Sequence, residues 1–166
     1  MLLVACGGGG GTGDGGGSGD DGEALSGDER ASVCDGFCAH AVECGWAADA
    51  AACESECASD AGLFRGTFWR DWVQCSDAAP CAEPGGETCF VEALDSSEPR
   101  AIHEEYVERC QAARADCGID GTLPDCDVSE VLPFTDAYVE STVLPCFDQS
   151  CDAMIACIET TVRDAF

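Results

Sequence analysis

Cys34-Asp35-Gly36-Phe37-Cys38 and Cys53-Glu54-Ser55-Glu56-Cys57 each hold two cysteines four residues apart. A spacing of four returns a side chain to the same face of an α-helix. Two antiparallel helices joined by a short loop set Cys34 against Cys57 and Cys38 against Cys53. The two stretches therefore read as one helical hairpin closed by two bridges. In the chain-entropy description of a cross-link, each closure of that size contributes about 3 to 4 kcal/mol.

The second half of the chain repeats the first. Cys38, Cys44, Cys53, Cys75, Cys81 and Cys89 match Cys110, Cys117, Cys126, Cys146, Cys151 and Cys157 in order, at offsets of 72, 73, 73, 71, 70 and 68. An offset of 71 also sets Leu63 with Phe134, Phe68 with Val139, Trp72 with Val143 and Val73 with Leu144. Two cysteines of the first unit have no counterpart, Cys34 falling on Tyr106 and Cys57 on Glu130. Loss of one bridge partner would strand a thiol, so their joint absence supports the pair Cys34–Cys57. The corresponding hairpin bridge in the second unit is Cys110–Cys126. The twin C-x-x-x-C layout, about 24 residues in all, resembles the disulfide-stapled helical hairpins of several unrelated small-protein families, and that resemblance implies no function.

Four cysteines remain in each unit, and they allow three pairings, because connectivity does not follow from sequence alone. The favoured set closes a second hairpin with Cys75–Cys89 and ties the hairpin loops with Cys44–Cys81. By the same logic Cys146 pairs with Cys157 and Cys117 with Cys151.

Helix signals surround these cysteines. Ser26-Gly27-Asp28-Glu29 has the form of a capping box opening a helix with Val33, Cys34, Phe37, Cys38, Ala41 and Cys44 at helical spacing. Asp49 is positioned to cap a second helix running towards Gly62, Thr67 a third through Trp69, Trp72, Val73 and Cys75, and a fourth covers Cys89 to Leu94. Ser97 is expected to cap a helix carrying Ile102, Tyr106, Cys110, Ala113 and Cys117, stopped at Gly118. Pro133 shortens the next, Thr135 opens another, and Ser150 opens the last. Alternating strand patterns are almost absent. The fold class expected is all-α, with disulfide-stapled helical hairpins in two tandem repeat units, residues 29–96 and 97–166, after a disordered glycine-rich tether over 7–28.

Fifteen cysteines in 166 residues mark a disulfide scaffold in an oxidising compartment. Setting one aside leaves fourteen, enough for seven bridges. A metal site is the rival explanation of so many thiols, yet no C-x-x-C occurs, and the histidines are His40 and His103. Cys38, His40 and Cys44 are the nearest approach to a metal cluster, and the missing C-x-x-C also argues against a thioredoxin-type redox site. The formal net charge of −26 comes from 33 acidic residues against seven basic ones, all arginine. Nucleic acid and anionic lipid surfaces are disfavoured as partners, since both require clustered positive charge. No run of about 18 apolar residues is present, so a membrane-spanning helix is not expected.

The one cysteine set aside is Cys6. Leu3-Val4-Ala5-Cys6 resembles the bacterial lipobox, whose cysteine receives diacylglycerol and becomes the mature N-terminus. The residues ahead of it, Met1 to Ala5, are shorter than an export signal, so the expectation is that translation starts further upstream or that the chain has been trimmed. Gly7 to Gly22 is mostly glycine with scattered Asp, Ser and Thr, a composition that spans roughly 20 to 25 Å as a solvated coil. No Gly-Lys-Ser or Gly-Lys-Thr makes it a phosphate loop. In style the chain resembles the cysteine-rich lipoproteins with glycine-rich tethers of predatory and soil Gram-negative bacteria, a class that brings a location and no activity. The resemblance implies attachment to the membrane through a lipid on Cys6. Gly7 stands where an Asp would favour inner-membrane retention, so the outer membrane is the expected site.

For function, three classes are weighed. The first is a lipid-anchored binding or structural module whose partner is a protein or glycan, with Trp69 as its surface residue, because Glu140 faces it in the repeat alignment. The second is a calcium-responsive protein. Asp116 to Asp127 has Asp116, Asp120 and Asp127 at positions 1, 5 and 12 of a calcium loop and Gly121 at position 6, but Gly118 replaces an oxygen ligand at position 3. A plain bridge-constrained turn is the preferred reading of that stretch, and no other cofactor is expected. The third is an envelope hydrolase, which lacks any G-x-S-x-G or convergent acid, base and nucleophile set.

Overall fold

The computed structural model describes residues 22–82, 86–118 and 126–163. Cys6, the tether up to residue 21 and Asp120 lie outside them. Helices α1 (Gly27–Glu43), α2 (Ala50–Asp60), α3 (Gly66–Ala78) and α4 (Gly86–Asp95) form the first unit. The second begins with α5 (Ala101–Cys117) and a 3-10 turn, Val128–Glu130. It continues through α6 (Asp136–Tyr138), which runs on as a π-helical turn, Val139–Val143, and a 3-10 turn, Leu144–Asp148. It closes with α7 (Cys151–Ile158) and a π-helical turn, Glu159–Arg163. The fold is all-helical, and among the described residues none of the helices is long and apolar enough to cross a membrane.

Seven bridges join all fourteen cysteines of the described residues. Cys34–Cys57 and Cys38–Cys53 staple α1 to α2. Cys75–Cys89 joins α3 to α4, and Cys44–Cys81 ties the two hairpin loops. Cys110–Cys126, Cys117–Cys151 and Cys146–Cys157 do the same work in the second unit. Cys34–Cys57, Cys38–Cys53 and Cys110–Cys126 are the pairs reached from helical spacing and the repeat, and the other four are the favoured set among the three pairings that the sequence left open in each unit. No bridge runs between residues 29–96 and 97–166. Helix α1 buries Cys34, Cys38 and Ala41, and α2 buries Cys57. These small side chains supply little apolar area, so the hairpin leans on its bridges for what burial does not give.

The large side chains collect elsewhere. Phe64, Phe68, Trp69, Tyr106, Phe134, Met154 and Ile158 belong to one buried cluster drawn from both units. At its centre the segments before α3 and α6 pair: Arg65 N–H donates to Pro133 O at 2.8 Å and Thr135 N–H to Leu63 O at 2.9 Å. Phe64 and Phe134 face each other across this short antiparallel bridge.

The chain ahead of α1 is part of this centre. Glu23 O accepts from Gly66 N–H at 2.7 Å and Gly22 O from Asp136 N–H at 2.9 Å, so one strap covers the first turns of both α3 and α6. Leu25 is buried beside it, and a Cβ on Gly66 would stand about 3.0 Å from Leu25. Residues 22–26 therefore belong to the folded unit and not to the tether that composition assigns them to. The strap also explains why Thr67 does not cap α3: Arg65 holds the cap position, and a backbone carbonyl satisfies the first amide. Ser97 likewise does not cap α5. Its hydroxyl donates to Ala93 O at 2.9 Å, and α5 opens after Pro99 with Arg100 at the cap, since a residue before proline is held out of the helical region. The expected caps at Ser26, Asp49 and Thr135 are in place.

Candidate functional site

A cleft of about 460 Å³ opens on the first unit between α1, α2 and α3, lined by Phe37, Trp46, Glu56, Asp60, Trp69 and Trp72 among others. That volume lies in the range of small-molecule sites. It gathers all three tryptophans of the chain. Trp46 sits in the α1–α2 loop just after Gly45, whose φ of 72° turns the chain. Its indole N–H donates to Cys81 O at 3.1 Å, so the Cys44–Cys81 bridge holds both the loop and the acceptor. Trp69 and Trp72 are three apart on α3 and therefore share a face. Trp69 is only 4% exposed and stacks on Phe64 at 5.2 Å. Trp72 is half-buried, stands perpendicular to Trp69 at 5.2 Å, and donates its N–H to Gly86 O at 3.3 Å. Trp69 is thus the floor, and Trp72 and Trp46 are walls.

The other side of the cleft is acidic. Glu56 and Asp60 lie one turn apart on α2, and among the described residues neither carboxylate has a hydrogen-bond or ion-pair partner. Burial pushes the Asp60 carboxyl above the usual aspartate range, and the neighbouring Glu56 pushes it further. The polar supply of the cleft is one-sided. Two indole N–H groups are spent on backbone carbonyls, and the third, on Trp69, is sealed in the protein without a partner. The two solvent-facing carboxylates remain as acceptors, with the Ser76 hydroxyl as the one free side-chain donor among the described residues of the lining.

Trp69 is therefore not the outward-facing residue that the repeat alignment makes it. Across this stretch the units correspond at an offset of 70, as Phe64 with Phe134 and Arg65 with Thr135 show. Trp69 then falls on buried Val139 and Val73 on buried Val143, while Glu140 matches Arg70. The offset returns to 71 by Cys75 and Cys146 because the π-helical turn Val139–Val143 absorbs one extra residue, Leu144 N–H reaching back to Val139 O. Pro145, which has no N–H to continue an α-helical ladder, follows directly.

The acidic loop is only partly described. Asp116 is exposed at the end of α5, which Gly118 closes in a left-handed conformation with φ 63°. Asp127 caps the Val128–Glu130 turn, its carboxylate accepting from Ser129 N–H at 2.8 Å, and hydrogen bonding from the Ser129 side chain first and its N–H second holds the carboxyl below the usual range. His40, Cys44 and Cys81 bring potential ligand atoms within 4.8 Å of one another. The two sulfurs are bonded to each other, however, and Cys38 is bonded to Cys53, so no thiolate is available there. His103 lies apart from His40, wholly buried in α5.

Sequence reasoning singled out one of the three tryptophans and neither carboxylate. A usable signal was present: every tryptophan lies in the first unit and none in the second. No protein-family model, curated protein or solved structure matches this chain, so the cleft is read from its own chemistry.

Proposed function

We propose that the protein is a lipid-anchored protein of the cell envelope, held to the outer membrane through Cys6, and that it acts as a binding module. One observation carries the binding reading: the half-open cleft whose floor and walls use all three tryptophans. Aromatic side chains offer large contact area at low conformational cost, and a disulfide-braced frame holds that area in place. The anchor is supported by the lipobox-like Leu3-Val4-Ala5-Cys6 and by cysteine parity, since each of the other fourteen cysteines has its partner. The partner is a small molecule, or a group displayed on a protein or glycan, small enough to enter the cleft.

The binding reading is tested by an NMR screen of the full chain against neutral oligosaccharides, apolar fragments and small organic ions, following the three indole N–H signals. Saturable shifts at Trp46 and Trp72 are expected with at least one class. A screen in which no compound moves them would remove the cleft as a binding site. The intact mass of protein recovered from its native membrane tests the anchor separately, the expected species starting at Cys6 and carrying acyl groups.

A further inference from the structure

We propose that the cleft takes a small organic cation of the alkylammonium class, with its charge set against Glu56 and Asp60 and its apolar substituents against Trp46 and Trp72. The proposal rests on the reading of the cleft as the binding site and names what that site selects.

Charge complementarity carries the argument. Among its described residues the cleft offers two carboxylates as acceptors against one free side-chain donor, the Ser76 hydroxyl, because the indole N–H groups of Trp46 and Trp72 are already used and that of Trp69 is sealed. A ligand with acceptor groups of its own would have to bury them without partners, which costs binding free energy. No arginine lines the cleft, and the chain has no lysine, so the negative charge of Glu56 and Asp60 is left for a ligand to balance. Partial burial and then the repulsion of Glu56 raise the Asp60 carboxyl above its usual range, and an incoming cation offsets that repulsion. Aromatic faces attract alkylammonium groups through the ring quadrupole, and desolvation in a cleft strengthens the attraction. The net charge of −26 draws cations towards the molecule and repels anions. The chain's own N-terminal segment brings Asp14, Asp20 and Asp21 and is the wrong sign to fill the site.

The test pairs choline with 3,3-dimethylbutan-1-ol, which has the same shape without the charge, on the full chain at constant ionic strength. Choline is expected to shift the indole signals of Trp46 and Trp72 saturably and to bind roughly tenfold more tightly than the alcohol. Glu56→Gln with Asp60→Asn is expected to remove that difference while leaving the weak binding of the alcohol intact. Both residues are exposed and unpaired among the described residues, so the double variant keeps its fold. Equal binding of the two probes would overturn the cation and leave the cleft as a neutral apolar site. Shifts reproduced by sodium chloride alone, or no shift with either probe, would also overturn it. In that last case the wider screen decides separately whether the cleft binds anything.

Discussion

Phe64 and Phe134 stack with ring centroids 5.3 Å apart and planes 15° apart, at the point where the two halves of the chain exchange backbone hydrogen bonds. The repeat units are therefore not separate bodies, since each completes its core with the ring of the other. A single unfolding transition is expected. The chain supplies its own probes, with Trp46, Trp69 and Trp72 in the first unit and Tyr106 and Tyr138 in the second. Tryptophan fluorescence and tyrosine absorbance should give the same midpoint in urea. Phe134→Ala should lower the stability read by both probes together by about 3 to 5 kcal/mol, whereas independent units would show the tyrosine signal moving alone.

The register of α3 against α6 makes a second test. Trp69, on the floor of the cleft and 4% exposed, should cost about 3 to 5 kcal/mol when replaced by alanine. Glu140, exposed on the π-helical turn, should cost less than about 0.5 kcal/mol when replaced by alanine. Near-equal effects in denaturant melts would mean that the 71-residue alignment was right and the 70-residue one wrong.

Much of this fold is written in cysteine spacing, because a four-residue interval and an antiparallel hairpin leave few ways to pair Cys34, Cys38, Cys53 and Cys57. The strap was hidden for the opposite reason. Gly22 and Glu23 act through backbone carbonyls, which leave no mark on side-chain pattern. The extra residue in the π-helical turn was hidden too, because no cysteine marks the register between Cys126 and Cys146. The cleft depends on that register and on a loop, so of its lining only Trp69 was singled out, and with the wrong orientation.

The bridges should differ in their response to reductant. Cys81 is exposed and Cys44 half-buried, while Cys34, Cys38, Cys89, Cys110 and Cys146 are buried. Mild reduction followed by alkylation and peptide mapping should label Cys44 and Cys81 before those bonded to buried sulfurs. Opening this 37-residue separation removes about 4 kcal/mol in the chain-entropy description. It also frees the segment whose carbonyl receives the Trp46 N–H, so the Trp46 indole signal should move while those of Trp69 and Trp72 stay.

Asp127 offers a direct comparison between a cap and a calcium ligand. As the cap of the Val128–Glu130 turn, its replacement by alanine should cost about 1 kcal/mol. That loss should be the same with and without millimolar calcium. Stabilisation of the parent chain by calcium, absent in Asp127→Ala, would point to the ion instead.

The pH dependence of stability should carry the signature of His103. The ring is wholly buried, its Nδ1 accepts from Arg100 N–H at 3.0 Å, and its proton therefore sits on Nε2, beside the Phe134 backbone but short of a full hydrogen bond. Burial above all, then the Arg65 guanidinium, pushes its pKa from 6.5 down to about 4, with Asp136 and the Phe134 backbone opposing and Arg100 adding to the fall. The unfolded chain binds a proton at His103 as pH drops through 6.5, and the folded chain does not until about 4. The stabilisation is therefore complete above pH 6.5 and is lost between 6.5 and 4, on the order of 3 kcal/mol in all. Asp127, with its carboxyl lowered, loses its contribution only at lower pH, and Asp60, with its carboxyl raised, gains on acidification. Neither reproduces a loss that begins near pH 6.5. His103→Asn keeps an acceptor for Arg100 N–H and removes the titration. Urea melts at pH 7.5, 6.5, 5.5 and 4.5 should show a flatter profile for His103→Asn than for the parent chain, and parallel profiles would mean that His103 charges inside the fold at no cost.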